Sequence, residues 1–340
     1  MANSRGHPLV VGLSSNQYRM YVGRRHMDFD VVIISGVSRS GKTLLGRLLG
    51  SMHNVEHVDE PWFPMMLPVI QGKGLIDPDV ATMLLQSFVE ELFNDIVLLR
   101  TANFRPSDLS SIWKVKSAQE IFSRLVNLHS RDDVRRYVLE KRPILLCNLA
   151  EVMPYLSFLI DTFPNCKIIH VVRNGLDVAM AVSAKQWFSD EQLRNPLNNQ
   201  VFRAYEHFEQ SRKYYLPWWL PEEKAQLFLG MGDFARGLCY WCSLLEQSLH
   251  QIRELRMSPS QQYREVKYEA LVRNPDGVLE DLAAFLGVGP SEQTAALLAG
   301  LEDRSSQVSP MYPLGRVSAG EMECVNRMLS IFNYPSTERL

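Results

Sequence analysis

Val31-Val32-Ile33-Ile34-Ser35-Gly36-Val37-Ser38-Arg39-Ser40-Gly41-Lys42-Thr43-Leu44-Leu45 is the stretch from which the rest of the chain is read. Four β-branched apolar residues run into a polar turn. Apolar residues at 44, 45, 48, 49 and 52 then fall on one face of a helix. The turn spells Gly-x-x-x-x-Gly-Lys-Thr in the strand–loop–helix setting that gives this pattern physical meaning. Such a loop turns successive backbone N–H groups inward and adds the positive end of the following helix. Arg39 and Lys42 contribute full charges, and Ser38, Ser40 and Thr43 contribute hydroxyls, so an anion of phosphate or diphosphate size is expected there. Gly46 and Gly50 let the helix lie close against a sheet.

Outward from this unit the chain alternates strand and helix signals. A short strand is expected at 55–58, ending in Asp59-Glu60-Pro61-Trp62-Phe63-Pro64. Two carboxylates at a strand end sit where open α/β sheets place their sites. A helix is expected over about 79–99, capped by Asp77 or Asp79 with Pro78 in its first turn. Residues 112–115 read as a strand or a helix entry, and 117–140 as helical and charged. Next come a buried strand at 143–147, a helix over about 150–163 stopped by Pro164, and a strand at 167–172. Arg173-Asn174-Gly175-Leu176-Asp177 follows that strand and opens a helix running to about 187.

A long helix over about 232–256 leads to a strand at 263–268. A helix then starts at Asn274-Pro275 and ends at Gly287, and an amphipathic tail helix carries Met322, Val325, Met328, Leu329 and Phe332. The rhythm predicts an α/β fold, a three-layer sandwich with a central parallel sheet flanked by helices. Residues 1–28 read as an irregular lead-in and 29–340 as a single domain, with an insertion at about 188–222. There periodicity breaks down and His207, Phe208, Tyr214, Tyr215, Trp218 and Trp219 cluster among prolines and charges. That is the character of a lid or acceptor pocket, or of a surface subdomain packed on its own aromatics.

Over 340 residues the formal net charge is −2, so no global basic field points to nucleic acid or an anionic membrane. Five unevenly spaced cysteines suit a reducing compartment. Cys239 and Cys242 sit in an apolar helical pattern without a second pair or a nearby His, and read as core thiols. No basic-then-apolar leader is visible and no apolar run reaches eighteen residues, so the chain reads as cytoplasmic, without a membrane span.

Three segments, in this order, resemble the P-loop sulfotransferases that use 3′-phosphoadenosine 5′-phosphosulfate (PAPS). Residues 35–45 look like that family's 5′-phosphosulfate loop. Phe163-Pro164 through Ile168-Ile169-His170-Val171-Val172-Arg173-Asn174-Gly175-Leu176-Asp177-Val178-Ala179 look like its 3′-phosphate strand and helix. Val266-Lys267-Tyr268-Glu269-Ala270-Leu271-Val272-Arg273-Asn274-Pro275, closing with Phe285-Leu286-Gly287, is similar to its C-terminal signature. The resemblance implies that Ser38, Ser40, Gly41, Lys42, Thr43 and Leu44 cradle the 5′-phosphate, with Arg39 at the bridging oxygen. It implies that Arg173 pairs the 3′-phosphate through its planar fork, that Tyr268 lies against the nucleotide, and that Arg316 also reaches the 3′-phosphate. Glu60 falls where some relatives place a general base, with Asp59 as its competitor.

Three departures from the family pattern stand out. Lys42 replaces a usual Thr. Ala181 stands where a phosphate-binding serine is usual, with Ser183 two residues on. Asn148-Leu149-Ala150 replaces a Lys-containing segment, for which Lys114 or Lys116 is the candidate substitute.

The chemistry fits the residues. Sulfuryl transfer needs an acceptor hydroxyl or amine deprotonated as it attacks, which Glu60 can do. It also needs charge stabilised on the leaving phosphate, which Arg39 and Lys42 can do. The expected reaction is transfer from PAPS to a small-molecule, lipid or carbohydrate acceptor, with no metal. Two other readings stand beside it. Lys42 and Thr43 would serve a small-molecule kinase using Mg-ATP, and Ala181 and Asn148 would suit a non-catalytic nucleotide-binding module. For Glu60 the bland alternative is an exposed charge after a strand.

Overall fold

The computed structural model describes residues 27–108, 110–195, 203–209, 212–257, 261–301 and 311–337. The opening unit is strand β1 (Asp30–Ser35), followed by the phosphate loop and helix α1 (Lys42–Gly50). Next come β2 (Val55–Asp59), α2 (Trp62–Gly72), α3 (Pro78–Val97), α4 (Ala118–Asn127) and α5 (Arg131–Lys141). Then follow β3 (Ile144–Asn148), α6 (Leu156–Thr162), β4 (Lys167–Val172), α7 (Gly175–Ala184) and α8 (Asp190–Arg194). The second half holds a hairpin of β5 (Arg203–Glu209) and β6 (Arg212–Pro217), then α9 (Ala225–Gly230), α10 (Asp233–Glu254) and β7 (Tyr263–Lys267). It closes with α11 (Tyr268–Arg273), α12 (Pro275–Leu286), α13 (Glu292–Ala299) and α14 (Ala319–Ile331).

The main sheet runs β2-β3-β1-β4-β7, parallel throughout. β1 is central because both its faces are apolar: Val31 and Ile33 join the cluster formed with α3 and α6, while Val32 and Ile34 join the one formed with α1 and α12. The chain runs from β1 to β2 and β3 on one side of it, then crosses to β4 and β7 on the other. The carboxyl end of β1 is therefore the switch point at which such sheets open a crevice, and the phosphate loop sits there. The expected α/β sandwich with a central parallel sheet is what the chain forms.

Glycines set the closest approaches. His57 of β2 occupies the space a Cβ on Gly46 or Gly50 would need, at 2.5 and 2.6 Å, so α1 lies against the sheet as the sequence predicts. On the far side α10 crosses α7, where a Cβ on Gly237 would come within 2.9 Å of the Ala179 Cα, and Trp241 covers Gly175. Trp241, Tyr240, Trp219 and Phe188 are fully buried in a third cluster there, with Cys242 among them and Cys239 packed against it. Truncating such a ring to Ala typically costs about 3–5 kcal/mol.

Several expectations need correction. The 188–222 stretch holds α8 and the β5–β6 hairpin, and Tyr214, Trp218 and Trp219 are buried in the third cluster rather than on a separate surface unit. Residues 117–140 are helical as expected, divided into two helices because Ser130 makes a capping box with Asp133 and restarts the chain. Helix α2 was hidden by Pro64 and Pro68, and α11 follows β7 without a loop. Lys116 points away from the phosphate loop: it donates to the Val55 carbonyl at 2.6 Å, beside buried Glu56, which Arg124 pairs through both carboxylate oxygens. Lys114 reaches the Ser107 carbonyl. Neither lysine supplies the charge missing at Asn148.

Candidate active site

The loop's shape is forced at its glycines. Gly36 has φ +147, and a Cβ there would lie 2.2 Å from the Val171 carbonyl oxygen. Gly41, at φ +95, is the N-cap of α1, and no side chain caps that helix. Its first-turn N–H donors are thus left for a ligand, next to the positive end of the dipole. Arg39 takes a left-handed φ of 69.

Beneath the loop lies a network that sequence reasoning missed. The Ser38 hydroxyl donates to Glu151 at 2.7 Å, and the Ser38 N–H donates to the Tyr240 oxygen at 2.8 Å. The Tyr240 hydroxyl donates to the same Glu151 oxygen, and the Glu151 N–H donates to the Gly36 carbonyl at 3.0 Å. Glu151 lies three residues past the end of β3, and the strand-end rule that singled out Asp59 and Glu60 applies to it equally. Tyr240, on α10, had no local signal.

Lys42 is 3% exposed, and its ammonium donates to the Val37 carbonyl at 2.9 Å. Burial lowers its pKa, against the opposing pull of Glu60, Glu151 and Asp59. Glu60 shifts the other way: desolvation raises its carboxyl, and Asp59 and Glu151 add to the rise while Lys42 opposes it. Its backbone, at φ 47, is tied by an N–H···O bond of 3.0 Å to the Asn148 carbonyl. Asp59 accepts from the Asn148 side-chain amide and lines neither cavity described below.

Arg173 leaves the carboxyl end of β4. Its guanidinium donates to the Arg39 carbonyl at 3.0 Å and lies over the Tyr268 ring at 4.4 Å, while Trp241 donates to its carbonyl at 3.1 Å. Asn174 caps α7 by accepting from the Leu176 N–H at 2.9 Å.

A cavity of about 740 Å³ joins these groups, bounded by Ser38, Arg39, Gly41, Lys42, Thr43, Leu44, Glu60, Arg173 and Tyr268. Arg47 on α1, Trp187 beyond the end of α7, and Leu297 and Leu301 from the α13 region also line it; sequence reasoning had not singled them out. A second cavity of about 150 Å³ shares Ser38, Glu60 and Trp187 with the first. Ser40 lies buried beneath the loop, and its hydroxyl has no hydrogen-bond partner. Ser183, the nearest serine to Ala181 in the helix, lines neither of these cavities. The Arg316 side chain lies outside the described residues. Among the described residues, no group of His, Cys, Asp and Glu is arranged to hold a metal, and no helix is long and apolar enough to cross a membrane.

A sequence model of the Sulfotransferase family matches residues 31–228, more than half of the chain. The chain belongs to that family. The match of this sulfotransferase-family chain takes in the phosphate loop, Glu60, Glu151 and Arg173, and ends before Tyr240 and Tyr268. It decides against the kinase as a family. Among solved structures, the sulfotransferase domain of the Synechococcus PCC 7002 olefin synthase is 18% identical, with 91% of this chain and 97% of that one covered and a TM-score of 0.46. The sulfotransferase domain from the curacin biosynthetic pathway is 16% identical, with 90% and 98% covered and a TM-score of 0.47. Sulfotransferase STF1 from Mycobacterium tuberculosis H37Rv is 14% identical, with 89% and 77% covered and a TM-score of 0.40. No curated protein matches the chain significantly.

Proposed function

We propose that this sulfotransferase-family protein transfers a sulfuryl group from PAPS to the hydroxyl of a small acceptor. One observation carries the reading: the phosphate loop and Arg173 line a single cavity, and Glu60 stands on the wall it shares with a second one. Residues 38–44 would hold the 5′ end of the nucleotide, and Arg173 with Tyr268 the 3′ end. Two buried polar atoms without partners, the Ser40 hydroxyl and the Arg173 Nε, support this fit, because such atoms are rare unless a ligand or water completes them. When bound, PAPS supplies the sulfuryl group.

The chain's own residues do the rest. Glu60 takes the proton from the acceptor hydroxyl, and desolvation raises its carboxyl, which makes it a better proton acceptor than an exposed glutamate. Lys42 and Arg39 hold positive charge where the leaving phosphate gains negative charge, in a site partly closed to water. Arg173 fixes the far end of the nucleotide and so its register along the loop.

The test is thermal unfolding with 3′-phosphoadenosine 5′-phosphate (PAP), without Mg²⁺, followed by transfer assays from PAPS to a panel of hydroxyl compounds. PAP is expected to raise Tm, and Arg173→Ala to remove the shift. A shift with ADP and Mg²⁺ but none with PAP would overturn the reading. PAP binding without transfer to any acceptor would leave a nucleotide-binding module.

A further inference from the structure

The smaller cavity carries an inference that rests on the sulfotransferase reading. We infer that it holds the body of the acceptor, and that this body is apolar and carries a single hydroxyl aimed at Glu60. Four of its lining residues, Trp62, Met65, Met66 and Val69, stand at i, i+3, i+4 and i+7 on α2 and so share one helix face. Ala150 closes it from the end of β3, and Trp218 and Trp187 from the ends of β6 and α7.

The polar groups in its wall are Ser38, Glu60 and Glu151. Ser38 and Glu151 already bond each other, and Tyr240 adds a second donor to Glu151. Glu60 is left to meet an incoming hydroxyl, and it also faces the nucleotide-sized cavity. A reacting hydroxyl held there would sit between the two chambers.

Size sets the class further. A volume of about 150 Å³ matches a dry apolar cavity that takes one benzene, or about six carbon atoms. Met65 and Met66 are flexible and polarizable, so either a ring or a short chain packs against them. Trp62, 48% exposed, forms the rim, over which a longer tail would leave. A sugar ring would bring several hydroxyls against indole and thioether walls. Each one left unpaired lowers affinity roughly tenfold or more. The aromatic insertion expected to form the acceptor pocket thus contributes Trp218, while α2 supplies one whole wall.

The experiment combines two measurements on the full chain. Indole fluorescence follows titration with 1-hexanol, benzyl alcohol and glucose, with PAP present; transfer from PAPS to the same compounds gives KM. Saturable binding and turnover are expected with hexanol or benzyl alcohol and not with glucose, the two alcohol arms separating a chain from a ring. Val69→Trp and, as a milder filling, Ala150→Leu are expected to raise KM for the alcohols at least tenfold while the PAP-induced Tm shift persists, which shows that the variants are folded. Preference for glucose, or alcohol KM unmoved in a variant that keeps the PAP shift, overturns the inference and leaves the donor reading standing. Alcohol binding without any PAP binding overturns the donor reading, and with it the acceptor role of the cavity.

Discussion

The Arg173 guanidinium lies 4.4 Å from the centre of the Tyr268 ring, and that same ring fills the space a side chain at Gly41 would need. One aromatic residue thus links the 3′-phosphate candidate to the first turn of the phosphate loop. Arg173→Ala removes a charged fork, whose hydrogen bonds to a charged group are worth about 1.5–3 kcal/mol. The expected outcome is PAP binding weakened roughly 10- to 150-fold by calorimetry. Arg173→Lys keeps the charge but loses the fork and the stacking, and should fall between.

Gly41→Ala tests the other side of the ring. The backbone there is at φ +95, and the new Cβ would sit 2.2 Å from a Tyr268 ring carbon. Strain of this kind costs about 1–3 kcal/mol, and the ring must also move. Lower stability in urea and loss of PAP binding are expected. Adding Tyr268→Ala should recover part of the stability and none of the backbone strain, which a double-mutant cycle resolves.

For Glu60 the prediction concerns rate and pH together. Glu60→Gln should lower kcat by about 10²- to 10⁴-fold, the usual contribution of a general base, with PAP affinity unchanged. Because desolvation raises the Glu60 carboxyl, the active ionised form grows in only above the ordinary carboxylate range. The acid limb of the kcat profile should therefore lie above pH 4.5, the ordinary Glu value, and should vanish in the variant. Undiminished turnover would remove Glu60 from the mechanism.

Much of this was legible in the chain because it depends on short-range rules. Four β-branched residues, a glycine turn and an apolar helix face set β1, the loop and α1, and the run ending at Val172 placed Arg173 at the carboxyl end of β4. What stayed hidden depends on distant partners. Prolines masked α2, although Pro64 sits in its first turn and one face of the helix lines a cavity. Tyr240 reaches Ser38 across 202 residues, a pairing no periodicity announces. Lys116 looked like a spare charge until Glu56 and the Val55 carbonyl were seen to occupy it.

The Glu151–Tyr240 pair makes its own prediction. Both hydroxyl donors, from Ser38 and Tyr240, end on one Glu151 oxygen. Glu151→Ala leaves the buried Tyr240 hydroxyl without its acceptor, at about 1–3 kcal/mol, and frees the half-buried Ser38 hydroxyl, whereas Glu151→Gln retains a carbonyl to accept both and should lose less. Tyr240→Phe frees the Ser38 N–H. If the network serves the loop, Tyr240→Phe and Glu151→Ala should be coupled in stability and both should raise the Kd for PAP. Additive effects on stability with unchanged PAP affinity would show that the contacts brace the fold alone.

Acid sensitivity follows from two buried histidines. Burial pushes His170 and His57 from 6.5 down to about 4. Between those values the unfolded chain binds a proton that the native chain refuses, so stability rises with pH across this window and falls on acidification. A shift of this size corresponds to about 3 kcal/mol for each residue at 1.36 kcal/mol per pH unit. Glu56 acts in a different window: burial raises its carboxyl, but Arg124 and Lys116 override this and hold it at about 2, so its contribution is lost only below 4.5. Glu60 and Glu265, both raised by desolvation, pull in the opposite sense to the histidines. The difference between proteins is therefore the measurement. His170, with Nδ1 3.0 Å from the Tyr263 hydroxyl and its Nε2 buried without a partner, is the cleaner site. In urea unfolding at pH 7 and pH 5, His170→Gln should lose less stability on acidification than the unmodified chain. An equal loss in both would place the sensitivity elsewhere, with His57 the next residue to replace.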